Sequence, residues 1–190
     1  MSGLYLIGIA ALWTWLTWVL LRLGWAMARG KEAGITAGKL LVVIVTLTWL
    51  GVSFWFGGGR KVYYDWQVER LCAVDGGMKV YEKVELPKTV YEEFEARNWV
   101  LPYKAKADSS DEYYYKSETH YVRESNPRVT RTVVQVIRRS DDAVLGEVVR
   151  YGRGGGDLPG PWHGSSFLCP DPSKSAGFEK RIFLKLEESE

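Results

Sequence analysis

The sequence predicts an α+β protein in which a two-helix transmembrane hairpin precedes a small soluble domain with short helices and an antiparallel sheet. Residues 4–21 and 40–56 contain no charged side chain. Each stretch approaches the roughly 20 residues with which a helix crosses a hydrocarbon core. Charged residues and alternating strand patterns are concentrated after residue 60. We therefore predict a hairpin over 1–59 and a soluble domain over 60–190, which is long enough for one modest core.

We place the two spans at about 4–23 and 39–57. The segment between the two uncharged stretches is basic. It has one acid, Glu32, and four basic residues: Arg22, Arg29, Lys31 and Lys39. Short basic loops tend to stay in the cytoplasm, so the domain is predicted on the extracytoplasmic side. Arg60 and Lys61, just after the second span, weigh against this orientation.

Six of the nine tryptophans belong to the membrane region. Trp25 and Trp55 are near the span ends, where an indole ring can lie at the membrane interface. Trp13, Trp15 and Trp18 are deeper. We interpret them as side chains that fill the space between the two helices, and the alternative is contact with a partner helix.

The chain has two cysteines, Cys72 and Cys169, both in the soluble part. In an oxidising compartment they would pair and stabilise the domain by about 4–5 kcal/mol in the chain-entropy model. The alternative is two unrelated buried thiols in a cytoplasmic domain. Neither cysteine has a second ligand at metal-type spacing, so the sequence predicts no metal site.

Glycines mark the ends of the first domain helix. The triple glycine at 57–59 should end the second span, because each glycine costs about 1 kcal/mol in a helix relative to alanine. Residues 61–74 are predicted as a helix with one apolar face, formed by Val62, Trp66, Leu71 and Cys72. We interpret Asp75-Gly76-Gly77 as a helix stop and turn rather than a site.

Short elements are predicted for the rest of the domain. They are a strand at 78–86, a helix at 89–98, strands at 113–122, 129–139 and 143–151, and a final strand or short helix at 178–186. Thr89 and Glu92 have the spacing of a capping box at the start of the helix. The alternation along 129–139 is typical of an antiparallel sheet with one covered face.

Two segments of the domain occur together in a characteristic order. They are Cys72-Ala73-Val74-Asp75-Gly76-Gly77-Met78-Lys79-Val80-Tyr81-Glu82 and Ser165-Ser166-Phe167-Leu168-Cys169-Pro170. The pair resembles a family of small, uncharacterised bacterial proteins that are membrane-anchored or secreted. The resemblance covers most of residues 62–170 and implies an extracytoplasmic domain whose motif cysteines could bond, but it carries over no catalytic residue. We therefore expect a bacterial inner-membrane protein with a periplasmic domain.

The Gly/Pro-rich loop 152–164 is the best candidate for recognition of a partner, since loops on a rigid scaffold often carry function. The predicted partner-binding residues are Arg153, Asp157, Trp162 and His163. The alternative is a structural loop that Trp162 packs down. The tyrosines at 113–115 are a weaker candidate, for which packing within the sheet is the favoured interpretation.

Catalysis is a second hypothesis. Ser165 or Ser166 could act with His163 and Asp157, but these residues are close together on one loop and no G-x-S-x-G elbow is present. No GK[ST] follows the triple glycine, so we predict no nucleotide and no cofactor. A net charge of +2 is too small to predict a nucleic-acid partner.

The leading functional hypothesis is a non-enzymatic, membrane-anchored interaction protein. It would contact the lipid bilayer and a membrane or envelope protein, as an accessory subunit of an envelope complex. The alternatives are a membrane-tethered periplasmic hydrolase, an envelope exclusion factor against phage or conjugation, and a lipid- or cell-wall-binding module.

Overall fold

The structure, a computed structural model, describes residues 2–29, 37–158 and 164–186. The chain divides into two compact units, one of Met1–Val62 with Gly156–Ser165 and one of Tyr63–Gly155 with Ser166–Glu190. Two apolar helices dominate the first unit, and an antiparallel sheet with short helices forms the second. The predicted α+β class is confirmed.

The first unit begins with α1 (Ser2–Ala28) and α2 (Ala37–Phe54), which are both long and apolar enough to cross a membrane. A π-helical segment, Trp55–Gly59, follows α2 and leads into α3 (Arg60–Asp75). A Cβ atom at Gly59 would lie 2.7 Å from the ring of Phe54, so only glycine fits there without a shift. The glycines end the second span as predicted, because Gly58, with φ 163° and ψ −23°, leaves the helical conformation and kinks the chain before α3.

Two tryptophans fix the register of α1 against α2. The indole of Trp13 donates a hydrogen bond of 2.8 Å to Ser53 Oγ, and the indole of Trp49 donates one of 3.1 Å to Thr17 Oγ1. The later residue of α1, Thr17, thus bonds to the earlier residue of α2, Trp49, which makes the helices antiparallel. Polar bonds of this kind orient helices in a bilayer, where few other acceptors compete.

The other membrane tryptophans are turned outward. Trp15 and Trp18 are 58% and 51% exposed, so for these two the predicted packing between the helices is wrong, whereas Trp13 does lie between them. Trp25 is near the end of α1 that precedes the loop, with the Arg29 guanidinium carbon 4.2 Å from its ring centre. Trp55 follows α2 directly, at the other end of the hairpin.

The second unit is built on a mainly antiparallel β-structure. Its strands are β1 (Gly77–Val80), β2 (Val84–Leu86), β3 (Tyr113–Arg123), β4 (Arg128–Arg138), β5 (Val144–Gly154), β6 (Ser166–Cys169) and β7 (Phe183–Lys185). The main sheet has the order β1-β5-β4-β3, and β6 also pairs with β5. A second, two-stranded sheet pairs β2 and β7 in parallel. Two helices complete the unit, α4 (Lys88–Ala96) and α5 (Phe178–Ile182).

Hydrophobic clusters cover both faces of the main sheet, because successive side chains of β5 point in opposite directions. Val148 belongs to the larger cluster, with Ile182 of α5 and Phe183 of β7. Val149 belongs to the smaller cluster, with Val68 of α3. The expectation of one covered face is therefore wrong, since α3 covers the second.

Three predicted elements differ from the observed ones. The predicted strand 78–86 is two strands in different sheets, because the amides of Tyr81 and Glu82 both donate to the carbonyl of Leu145 and the chain turns there. α4 has Pro87 as its N-cap with no side-chain bond, so the predicted capping box is not formed. The segment 178–186 contains both a helix and a strand.

Candidate partner-binding surface

α3 is fastened to the sheet by a disulfide and by apolar packing. The Cα atoms of Cys72 and Cys169 are 5.9 Å apart, and their bond closes a separation of 97 residues. The predicted disulfide is thus present in the structure. The predicted apolar face is right for Cys72, which is buried, and for Leu71, which packs against the same cluster. It is wrong for Val62 and Trp66, which are 71% and 48% exposed, and it omits the fully buried Val68.

Arg153, a predicted partner-binding residue, lies inside the domain. The residue is 3% exposed, and its Nε donates a hydrogen bond of 2.5 Å to Asp65 Oδ1 of α3. Its guanidinium also donates to the carbonyl of Gly155. A buried cation needs such partners, so Arg153 holds α3 on the sheet and is not accessible to another protein.

A second ion pair fastens the other end of α3. Arg131 Nη2 donates a hydrogen bond of 2.6 Å to Asp75 Oδ2, and the hydroxyl of Tyr151 donates one of 2.7 Å to Oδ1. The bond from Tyr151, together with that from Arg131, lowers the pKa of Asp75. A carboxylate held by two donors in this way is part of the packing of α3.

The Asp75-Gly76-Gly77 segment ends α3, as the sequence predicts. The amide of Gly76 donates to the carbonyl of Cys72, and a Cβ atom at Gly76 would lie 2.5 Å from that oxygen. Gly77 has a φ of +123°, a backbone conformation that favours glycine. These two glycines therefore turn the chain directly from the helix into β1.

Asp157 anchors the Gly/Pro-rich loop within the first unit. Its Oδ1 lies 3.0 Å from Lys61 Nζ, and its Oδ2 accepts a hydrogen bond of 2.5 Å from the amide of Ser165. Arg60 also donates to the backbone carbonyl of Asp157, over 2.9 Å. Partial burial acts to raise the pKa of Asp157, but the bonds from Ser165 and Lys61 outweigh it and bring the pKa to about 2.

The remaining candidate residues of the loop, Trp162 and His163, lie outside the described residues. Of the proposed Ser-His-Asp group, the aspartate and the candidate serines lie within the described residues. Asp157 accepts a hydrogen bond from the backbone amide of Ser165. The tyrosines at the start of β3 follow the structural interpretation, because Tyr113 and Tyr114 are buried within the domain.

The free edge of β3 is an accessible feature that the sequence does not reveal directly. The amide of Tyr115 donates to the carbonyl of Pro102, and the amide of Lys104 donates to the carbonyl of Tyr115, each over 2.8 Å. The backbone groups of Tyr115 therefore point away from β4. Since these directions alternate along a strand, the backbone groups of Ser117, Thr119 and Tyr121 point the same way.

No described residue pairs with this part of β3, which is the last strand of the sheet. Side chains on both faces are exposed from 117 to 122. We call residues 117–121 the β3 edge. The sequence does predict the strand, but which strand lies at the edge depends on pairings between distant residues.

Comparisons of the chain with protein-family models, with curated proteins and with solved structures find no match. The resemblance to a bacterial family thus remains a prediction.

Proposed function

We propose that this protein is a membrane-anchored interaction protein whose domain binds an extended segment of an envelope protein along the β3 edge. The observation that supports this most directly is the set of outward backbone groups at Ser117, Thr119 and Tyr121. A strand added to an exposed sheet edge bonds to groups of this kind. The residues at 102–104 already pair with the same side of β3 at Tyr115, which supports the proposal that another segment pairs beside them.

Length also favours β3 over the other edges. β3 has 11 residues, whereas β1 and β6 have four each. The edge carries charged side chains, with Lys116 Nζ 2.7 Å from Glu118 Oε1. Charges on an exposed edge oppose indiscriminate pairing. A partner strand must therefore complement this charge pattern as well as the backbone, which gives the interaction specificity.

The proposed location is the bacterial inner membrane, with the domain on the periplasmic side. The two apolar helices support membrane insertion. The basic segment between them supports a cytoplasmic loop, and the Cys72–Cys169 bond supports an oxidising compartment for the domain. In that location the proposed role is an accessory subunit of a membrane or envelope complex.

A photo-crosslinking residue at Thr119 tests the proposal in cells that contain the full chain. We expect a discrete crosslinked product from position 119 and none from Lys83, an exposed residue on another segment of the domain. Mass spectrometry then identifies the partner. A phage or conjugation protein would indicate an exclusion factor, and a second copy of this chain would contradict the accessory-subunit role.

A substitution at the same position gives an independent test. Thr119→Pro removes an outward N–H without removing a bond to β4, so the domain should fold while the complex recovered in mild detergent is lost. Thr119→Val is the matched control, because it keeps the N–H and removes only the hydroxyl, which lies 3.3 Å from that of Thr132. Recovery of an intact complex with Thr119→Pro would refute strand addition.

A further inference from the structure

A polar crevice of about 290 Å³ lies between the first turns of α3 and the ends of β3 and β4 where the two strands connect. Four of its six lining side chains carry polar groups. The lining residues are Tyr63, Tyr64, Gln67, Val122, Arg123 and Val129. The crevice is separate from the β3 edge, and none of these residues takes part in the ion pairs that hold α3.

Arg123 is the unusual member of this set. Its Nε is buried and has no hydrogen-bond partner, and within the described residues its guanidinium forms no ion pair. The guanidinium carbon lies 4.9 Å from the centre of the Tyr64 ring, so its contact is with an aromatic face. A buried N–H of a cation is costly without an acceptor. An anion in the crevice would provide the missing counter-charge.

We propose that this crevice binds a phosphate ester, with Arg123 as the main ligand-binding residue. A guanidinium can bond two phosphate oxygens at once, and it is always charged at neutral pH. Tyr64 and Gln67 line the same space and carry a hydroxyl and a carboxamide that can donate further bonds. The volume is close to the lower end of ligand pockets, which suits a small head group.

The source that we favour is the head group of an anionic phospholipid. Tyr63 and Tyr64 follow the Trp55–Gly59 segment closely in the sequence, so only a few residues join this crevice to an apolar helix. Bilayer phosphates would then be present at high local concentration. A soluble phosphate ester has the same binding chemistry and is the alternative source.

Calorimetric titration of the full chain in a non-ionic detergent tests the proposal. The probes are dihexanoyl phosphatidylglycerol below its micellar concentration, glycerol 3-phosphate and inorganic phosphate. Each is titrated into the wild type, Arg123→Gln and Arg70→Gln. Arg70 is a matched control, because it is exposed and its guanidinium carbon lies 4.6 Å from the Trp66 ring centre.

We expect saturable binding of the phosphatidylglycerol probe that Arg123→Gln weakens by at least about tenfold and Arg70→Gln leaves unchanged. Equal or tighter binding of glycerol 3-phosphate or inorganic phosphate, with the same dependence on Arg123, would support the site and identify the soluble source. Absence of binding with all three probes would overturn the proposal. Equal weakening by both variants would also overturn it, since this would indicate a diffuse charge effect.

A second variant covers the case in which Arg123→Gln does not fold. Arg123→Lys keeps the positive charge but lacks the planar fork that bonds two oxygens. Its expected result is an unchanged circular dichroism spectrum with weaker binding of the phosphatidylglycerol probe. Wild-type affinity in this variant would refute bidentate binding by Arg123. Because the crevice does not include the β3 edge, loss of partner binding in Thr119→Pro leaves this result unaffected.

Discussion

Arg153 and Arg123 approach neighbouring residues of α3 and have opposite environments. Arg153 is buried against the carboxylate of Asp65, whereas Arg123 stacks on the ring of Tyr64 and has no carboxylate among the described residues. The charge of Arg153 is compensated inside the domain, so it contributes to the packing of α3. The charge of Arg123 is not compensated by any described carboxylate, which is the reason for the proposal that its crevice binds an external anion.

Removal of the disulfide should have the largest effect, because it loosens the helix that both arginines contact. Replacing Cys72 and Cys169 by alanine is expected to lower the free energy of unfolding by about 4–5 kcal/mol in the chain-entropy model. Urea unfolding of the full chain in a non-ionic detergent measures the change. Reduction of the wild type is the control and should give a similar loss. An unchanged midpoint in both cases would show that packing alone holds α3.

Asp65→Asn tests the Arg153 side of the comparison. The change leaves a buried guanidinium without its counter-charge, and we expect a loss of about 3 kcal/mol in the free energy of unfolding. Arg123→Gln removes no ion pair and should change it by less than about 0.5 kcal/mol. Equal losses in the two variants, measured by urea unfolding, would contradict the distinction between a structural and a ligand-binding arginine.

Local features of this fold follow from the sequence better than its pairings do. Apolar stretches without charge predict α1 and α2, and the glycines after Asp75 predict the end of α3, because each depends on neighbouring residues. The role of Arg153 depends on Asp65, a residue 88 positions earlier in the chain. No periodicity encodes such a contact. The sequence therefore predicts that Arg153 lies on a partner-binding loop, whereas in the fold Arg153 is buried against Asp65.

The β3 edge and the Arg123 crevice were missed for a related reason. The sequence predicts β3 as a strand, but its free side is defined by strand order, and Arg123 meets Tyr64 only after α3 packs on the sheet. One signal was available at the sequence level. Alternating charged and polar residues at 116–120 are typical of a strand exposed on both faces, and such strands occur at sheet edges.

The smallest predicted effect concerns the titration of Asp157. It tests whether a second residue of the Gly/Pro-rich loop is structural, like Arg153. Its pKa of about 2 is below the ordinary value of 3.8. Because the pKa of Asp157 is lower in the folded state than in the unfolded state, its ionised form stabilises the fold at pH values above about 4. This contribution is lost as the pH falls from about 4 towards 2. The amide proton resonance of Ser165, which donates to Asp157, should therefore shift across that interval in an NMR titration of the full chain.

Asp157→Asn is the control for this titration, because its side chain accepts a hydrogen bond but does not titrate. The Ser165 resonance should then show no transition between about pH 4 and pH 2. A wild-type transition centred near pH 3.8, the ordinary pKa of an aspartate, would mean that the bonds from Lys61 and Ser165 to the carboxylate do not persist in solution. Asp157 would then be accessible to a partner, and the prediction that this loop recognises a partner would again be favoured.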